Sequence, residues 1–240
     1  TRFIIFCPAL AIVPSVSGQS HPLTPEYQEV TIVNPHSAAS SDTTVVNVYD
    51  IFLENSPKSF KVPGAPRFAI EGKDRKFYLG IGGTAKATLS YDWGNPIDNA
   101  YDFTTSAIPM TQRPGDGGLV QATAATSGLF VNFVAMPGDK NQLGVYFNFN
   151  LTGNGNDYGF NLCYAYIKYR GFTVGYDYSL FSDMAAAPPS IDNEGPCGFT
   201  AIPNGVIDYR HDINSKWSVA IGAEMPMVSA TTGENSYVVN

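Results

Sequence analysis

Charged side chains are scarce in this sequence. Asp, Glu, Lys and Arg make up 15% of its 240 residues, whereas about a quarter is usual in soluble globular domains. The net charge is −7 and no cluster of Lys or Arg occurs, which argues against nucleic acid as a partner. The chain is instead rich in Tyr (14), Phe (15) and Gly (23). This composition is typical of outer-membrane barrels, and also of tyrosine-rich soluble β-proteins.

Residues that could carry out chemistry are also few. The three histidines are scattered, at His21, His36 and His211, and no Ser/His/Asp or Cys/His set accompanies them. The glycine groups Gly80–Gly83 and Gly115–Gly118 are not followed by a predicted helix, so they are not phosphate loops. Asp208, His211 and Asp212 could ligate a metal, but a solvated turn explains them better. The sequence therefore predicts no enzyme, no cofactor and no metal site.

The first residues resemble a secretory signal peptide. Arg2 precedes an apolar stretch from Phe3 to Val13, and Val16-Ser17-Gly18 has the small residues that a signal peptidase recognises. The alternative interpretation is a buried strand near the terminus. We predict a signal peptide at 1–18, a periplasmic N-terminal extension at 19–66 with short structure near Thr43 to Leu53, and part of a barrel at 67–240.

Cysteine usage is compatible with export. Cys7 falls in the predicted signal peptide, and Cys163 and Cys197 remain as a pair in an oxidising compartment. Strand alternation places Cys163 away from the apolar face, while Cys197 lies in a long loop. A disulfide between them and two independent thiols are both open.

The strongest pattern is alternation of apolar or small residues with polar residues or glycine. It runs from Phe77 to Asp92, which is long enough for one strand to cross a bilayer. It recurs at Leu143 to Leu151, Tyr158 to Tyr166, Phe172 to Leu180 and Trp217 to Glu224, and more weakly at Val120 to Ala135 and Gly205 to Arg210. In Val120 to Ala135 the phase slips at Ser127-Gly128, which predicts a β-bulge.

These patterns predict about seven strands. The connections between the strands are alternately long and short. Outer-membrane barrels have short periplasmic turns and longer external loops, and the series fits that order if the first strand runs outward. We therefore predict an all-β fold: a transmembrane antiparallel up-and-down β-barrel, with aromatic girdles at its edges. The girdle candidates are Trp93, Tyr164, Tyr166, Tyr169, Tyr176, Tyr178 and Trp217. The alternative is a secreted or surface-exposed soluble β-rich binding protein, which would have to bury residues such as Phe147 and Phe149.

The segment from Arg170 to Asp208 resembles the DcaP-like outer-membrane porins. In that family a strand ending in Gly-x-x-aromatic-Ser-x-Phe-x-Asp leads into a loop with Pro, Asp and a Gly-Pro pair. The matching positions are Gly175, Ser179, Phe181, Asp183, Pro188, Pro189, Asp192, Gly195 and Pro196. The resemblance extends over roughly 66–228. The family's N-terminal coiled coil has no counterpart in 20–66, where no heptads occur.

The resemblance implies a trimeric porin of the Gram-negative outer membrane, with sixteen strands and a pore narrowed by the third external loop. That loop corresponds to Ser182 to Asn204 here, and the missing strands predict that this chain is an N-terminal fragment. The expected partners are outer-membrane lipid and small hydrophilic solutes. The family implies organic anions as solutes, but the loop is net acidic, so the sign of selectivity stays open. The predicted pore-lining residues are Lys86, Asp92, Asp177, Asp183, Asp192, Glu194, Asp208, Arg210 and Glu224.

Overall fold

In the computed structural model, the described residues form one helix and fourteen strands. The described residues are 7–14, 31–33, 48–57, 66, 68–72, 76–92, 97, 118–138, 141–153, 158–184, 201, 203–214, 217–225, 228–232 and 235–239. The helix α1 spans Val48–Asn55. The strands are β1 (Cys7–Pro14), β2 (Thr31–Val33), β3 (Phe68–Glu71), β4 (Phe77–Thr84), β5 (Thr88–Asp92), β6 (Leu119–Thr123), β7 (Gly128–Gly138), β8 (Asn141–Asn150), β9 (Asn161–Tyr169), β10 (Phe172–Tyr178), β11 (Pro203–Asn214), β12 (Trp217–Met225), β13 (Val228–Thr232) and β14 (Asn235–Val239). No helix within these ranges is long and apolar enough to cross a membrane.

Ten of the strands form one sheet in the order β1-β12-β11-β10-β9-β8-β7-β4-β3-β2. From β7 to β12 each strand pairs antiparallel with the next strand in the chain. Only β2 and β3, among the described strands, pair in parallel. The two edge strands, β1 and β2, are not paired with each other in the described part of the chain. The predicted antiparallel up-and-down arrangement is confirmed, as an open sheet.

Two strand predictions need correction, and both concern the same place. The run from Phe77 to Asp92 is two strands, because β4 ends at Thr84 and β5 begins at Thr88. The predicted bulge at Ser127-Gly128 is a turn, in which the Ser127 N–H donates to Ala124 O at 2.9 Å. Since β4 pairs with β7 and β5 with β6, the four strands form one long hairpin that is interrupted at matching positions.

The side chain of Ser127 joins the two sides of this interruption. Its Oγ accepts the N–H of Lys86 at 3.0 Å and donates to the Lys86 carbonyl at 3.2 Å. These bonds replace the backbone ladder where it is broken. Alternation could not reveal the interruption, because Ala85 and Ala87 keep the two-residue period through it.

The tightest described turn joins β9 to β10. Arg170 and Gly171 have φ values of 49° and 83°, and Tyr169 pairs with Phe172. Positive φ at both central residues is the geometry of a type I′ turn, which suits the twist of a two-residue hairpin. The predicted minimal connection at Arg170-Gly171 is therefore confirmed.

This turn should be sensitive to a side chain at position 171. A Cβ there would lie 2.6 Å from the Arg210 carbonyl oxygen, and an L-residue at this φ is strained. We expect Gly171→Ala to lower the free energy of unfolding by about 1–2 kcal/mol, measured from urea unfolding midpoints. Arg170→Asn is the matched control, because Asn tolerates positive φ. Equal destabilisation by both variants would contradict the turn assignment.

The two faces of the main sheet differ in composition. On one face, cross-strand pairing aligns apolar residues in continuous rows. One row contains Ile70, Leu79, Phe133, Val145, Ile167, Val174 and Ile207. A second contains Phe77, Ala135, Leu143, Tyr169, Phe172, Tyr209 and Ile221. We call this the outer face, and the opposite face, which carries α1, the inner face.

The outer face is uncovered in the part of the chain that the structure describes. Phe147 is 40% exposed and Ile221 is 55% exposed, although both are large and apolar. Other exposed side chains of this face are Phe68, Ile70, Phe77, Ile81, Leu129, Ile167, Phe172, Val174 and Ile207. A soluble fold rarely leaves so many neighbouring apolar side chains in contact with water.

Strand β9 corrects the predicted facing of several tyrosines. Tyr164 pairs with Asn148 but Leu162 pairs with Phe149, so the ladder shifts by one residue at Cys163. The shift turns Tyr164 and Tyr166 to the inner face, where both are buried. Their predicted girdle role is wrong, because a bulge reverses the alternation that the sequence pattern suggested.

The remaining girdle candidates divide into three groups. Tyr178 packs against the inner cluster of buried aromatic residues, so its girdle role is also wrong. Tyr169 and Trp217 are exposed, and Tyr176 is half-buried. Trp93 lies outside the described residues.

Segments at both ends of the chain also form strands. Within the predicted signal peptide, β1 pairs antiparallel with β12, from Cys7 opposite Glu224 to Pro14 opposite Trp217. At the other end, β13 and β14 form a separate hairpin that alternation did not identify. Signal cleavage and the boundaries at residues 18 and 66 stay predictions.

Candidate pore-lining surface

The helix α1 lies on the inner face of the sheet. Its Phe52 side chain is fully buried and packs in one cluster with Ala69, Tyr78 and Val134, which come from β3, β4 and β7. The helix falls where the sequence suggested short structure, near Thr43 to Leu53. Burying a Phe side chain contributes about 1.5–3 kcal/mol, so this contact attaches the helix firmly to the wall.

Hydrogen bonds centred on Asn132 reinforce this attachment. Asn55 Nδ2 donates to Asn132 Oδ1 at 2.6 Å. Asn132 Nδ2 in turn donates to the Phe52 carbonyl and to Ser56 Oγ, both at 3.0 Å. Asn132 is fully buried, and these bonds satisfy the hydrogen-bonding groups of its side-chain amide. Without them, burial of the amide would cost free energy, because its bonds to water are lost.

Strand β9 holds the C-terminal end of the helix. The Asn55 carbonyl accepts a hydrogen bond from Tyr166 Oη at 2.8 Å and from Lys168 Nζ at 3.4 Å. The carbonyl groups of a helix C-terminus have no partner within the helix, and they carry partial negative charge. A lysine ammonium is a favourable partner there.

A cluster of aromatic side chains lies beside the helix on the inner face. Tyr146 and Tyr166 stack with ring centroids 5.5 Å apart, and Phe130 stacks on Tyr146 at 5.9 Å. The Tyr164 ring meets the Tyr146 ring edge-on, with centroids 6.2 Å apart, and lies tilted against the Tyr178 ring at 5.4 Å. These rings fill the inner side of the wall between β7 and β10.

Next to the aromatic cluster, strands β9, β10 and β11 place charged residues on the inner face. Thr173 pairs with Lys168 on one side and with Asp208 on the other. Asp177 and Asp208 both interact electrostatically with Lys168 and Arg210. Two carboxylates and two cations therefore share a small part of the inner face, which we call the charged patch (Lys168, Asp177, Asp208 and Arg210).

Glu224 holds the segment that follows β10. Its Oε1 accepts the Leu180 N–H at 2.7 Å and its Oε2 accepts Asn204 Nδ2 at 3.1 Å. Leu180 lies just before the segment predicted as the third external loop, and Asn204 is its last residue. The buried Glu224 carboxylate therefore connects the wall to the two ends of this segment.

Removal of this carboxylate should loosen the start of the loop. A hydrogen bond to a charged group contributes about 1.5–3 kcal/mol. We therefore expect Glu224→Ala to raise the hydrogen-exchange rate of the Leu180 amide by at least about tenfold. Glu224→Gln, which keeps an acceptor, should have a smaller effect. An unchanged rate in Glu224→Ala would show that the carboxylate does not hold Leu180.

The structure brings together only some of the predicted pore-lining residues. Asp177, Asp208 and Arg210 share the charged patch, whereas Glu224 supports the loop. The other predicted pore-lining residues that the structure describes lie away from this patch. Lys86 is exposed at the hairpin interruption, Asp92 ends β5 and accepts the Ile97 N–H at 3.2 Å, and Asp183 is exposed beyond β10. Asp192 and Glu194 lie outside the described residues.

Of the two cysteines considered for a disulfide, the structure describes only Cys163. Cys163 forms no disulfide within the described residues; it is half-buried and packs against the aromatic cluster, and Cys197 lies outside the described residues. A disulfide between them and two independent thiols therefore both stand as they did from the sequence.

Sequence reasoning missed Asn55, Asn132, Tyr166 and Lys168. One signal could have indicated two of them: Asn132 and Lys168 are single polar residues that interrupt otherwise apolar or aromatic stretches, Phe130 to Ala135 and Tyr164 to Tyr169. Asn55 carried no such signal, because its partners are 77 to 113 residues away in the chain.

Comparison with known proteins supports the fold. No family model matches the chain, and no curated protein matches it in sequence. The chain is similar to the crystal structure of the outer membrane channel DcaP of Acinetobacter baumannii, with a TM-score of 0.56 and 17% identity. The match covers 69% of this chain and 46% of that chain, so this chain spans less than half of its length.

The fold is thus all-β and porin-like, an antiparallel up-and-down sheet of the kind that forms barrel walls. At 17% identity the likeness concerns the fold alone.

Proposed function

We propose that this chain is part of a DcaP-like porin, an outer-membrane channel for passive diffusion of small hydrophilic solutes. One observation carries the proposal: within the described residues the outer face of the main sheet is apolar and uncovered, whereas the inner face carries the charged patch beside buried asparagine and tyrosine side chains. Lipid needs no protein layer over apolar side chains, and a water-filled lumen accommodates charge. The similar structure is named an outer membrane channel, which agrees with this proposal.

The finer parts of the proposal follow from the sequence. Export by a signal peptide is what residues 1–18 predict, and a trimeric assembly and a pore narrowed by the 182–204 loop are what the DcaP-like resemblance implies. The pore-lining candidates that lie together are those of the charged patch. The proposal includes no catalytic step, because the inner face would act through its width and charge.

Cell fractionation and liposome swelling test the proposal together. The full-length protein that contains this chain should sediment with outer membranes and show a heat-modifiable shift on gels. In liposomes it should admit small sugars and exclude large ones. Release into the soluble periplasm would instead support a secreted β-rich binding protein and overturn the proposal.

The charged patch should influence ion selectivity. We expect Lys168→Gln with Arg210→Gln to move the reversal potential toward cation preference, since two lumen cations are lost. Asp177→Asn with Asp208→Asn should move it toward anion preference. The two double variants are matched controls for each other in a salt gradient across a planar bilayer. Shifts in the same direction, or none, would exclude the patch from the ion path.

A further inference from the structure

We infer that residues 51–57, which are the C-terminal part of α1 and the two residues after it, form a fixed constriction that presents the Glu54 carboxylate to permeating solutes. The inference deepens the proposed function and rests on it. It assigns a second narrowing element besides the 182–204 loop, on the part of the inner face formed by β4, β7, β8 and β9.

The first argument is that the wall is shaped to receive the helix. A Cβ at Gly144 would lie 1.8 Å from Asn55 Oδ1, and a Cβ at Gly80 would lie 2.2 Å from Pro66 Cγ and 3.1 Å from Phe52 Cζ. Real Cβ atoms do not make contacts under 3.0 Å. Glycine at both positions therefore lets α1 and Pro66 approach the backbone of the sheet closely.

The second argument is that release of the helix would be costly. Phe52 and Asn132 are fully buried, and the helix end is hydrogen-bonded to β7, β8 and β9. Undocking would expose an aromatic ring and break several buried hydrogen bonds in one step. The helix is therefore a fixed part of the lumen wall.

The third argument concerns the opposite side of the helix. Phe52 and Asn55 face the wall, and Leu53 and Glu54 between them are exposed. Successive helical positions are separated by about 100°, so side chains next to a buried stripe point away from it. Glu54 thus places a negative charge on the side that faces away from the sheet, where solutes would pass.

An engineered disulfide tests the docking by itself. A Cβ at position 144 would lie 2.3 Å from Asn55 Cγ, so the Cβ atoms of Asn55→Cys and Gly144→Cys are in disulfide range. In a background with Cys7, Cys163 and Cys197 replaced by Ser, we expect the pair to oxidise, as measured by a mass loss of about two hydrogens. Failure to oxidise would overturn the docking, whether or not the protein is a channel.

Single-channel recordings then test the constriction. Gly144→Ala should displace Asn55 and raise the conductance, while the oxidised 55–144 disulfide variant keeps the lower value. Gly205→Ala is the matched control, because a Cβ there would meet only Met225 at 3.8 Å. Glu54→Lys should move the reversal potential toward anion preference, and Glu54→Gln should move it less far.

The outcomes separate the two proposals. A full-length wild-type protein without conductance would refute the proposed function and the constriction, even if the disulfide forms. A conducting protein whose Gly144→Ala variant matches wild type, with Glu54→Lys unchanged in selectivity, would refute the constriction alone.

Discussion

Ile221→Lys is expected to prevent stable insertion of the protein into outer membranes. Ile221 lies at the middle of β12 on the outer face, in the row that continues through Tyr209 and Phe172. A lysine on the lipid face of a barrel costs about 2–4 kcal/mol at the bilayer midplane. The loss should appear as a smaller heat-modifiable fraction and a lower urea midpoint in vesicles.

The same substitution separates the membrane interpretation from the soluble one. If the outer face were in water, Ile221→Lys would change stability by less than about 0.5 kcal/mol. Ala87→Lys is a suitable control, because Ala87 is exposed between β4 and β5, outside the rows of the main sheet. Equal behaviour of the two variants would argue that lipid does not contact the outer face.

Asn132→Ala is expected to lower the free energy of unfolding by about 2–4 kcal/mol. The variant loses the bond from Asn55 Nδ2 and the two bonds that Asn132 donates to Phe52 O and Ser56 Oγ. It also leaves a small cavity under α1. The amides of α1 should exchange hydrogen faster, because three of the hydrogen bonds that attach the end of the helix to the sheet involve this side chain.

Asn148→Ala is the matched control for this effect. Asn148 is buried on the same face, one strand away, and no hydrogen bond among the described residues joins it to α1. Its replacement should leave exchange in the helix unchanged. If both variants loosen α1 equally, the Asn132 side chain is not the specific attachment.

The strands were largely predictable because alternation is a local property. Strands β8, β10 and β12 fall where the pattern of apolar and polar residues placed them, and the Arg170-Gly171 turn was recognisable from its length. The prediction failed where one residue changed the phase or ended a strand. At Cys163 a bulge turned Tyr164 and Tyr166 inward, and at Ala85 to Ala87 the period continued through a break in the ladder.

The inner surface was less predictable, because its contacts join distant parts of the chain. Asp177, Asp208 and Arg210 were identified as lumen candidates from their strand phase, and they do lie together. Glu224 was predicted on the correct face of β12. Its hydrogen bond with Leu180 was not predictable, because it depends on how β12 packs beside β11 and the end of β10.

The sequence by itself determined that this protein is a sheet of long two-faced strands, with apolar residues on one side and polar residues on the other. Side-chain alternation along a strand needs only neighbouring residues, so a single chain reveals it. The tertiary structure alone decided that α1 covers part of the polar side. The space above Gly80 and Gly144 exists only once α1 has packed on the sheet, and the partners of Asn132 lie 77 and 80 positions away from it in the chain, so folding must bring them together.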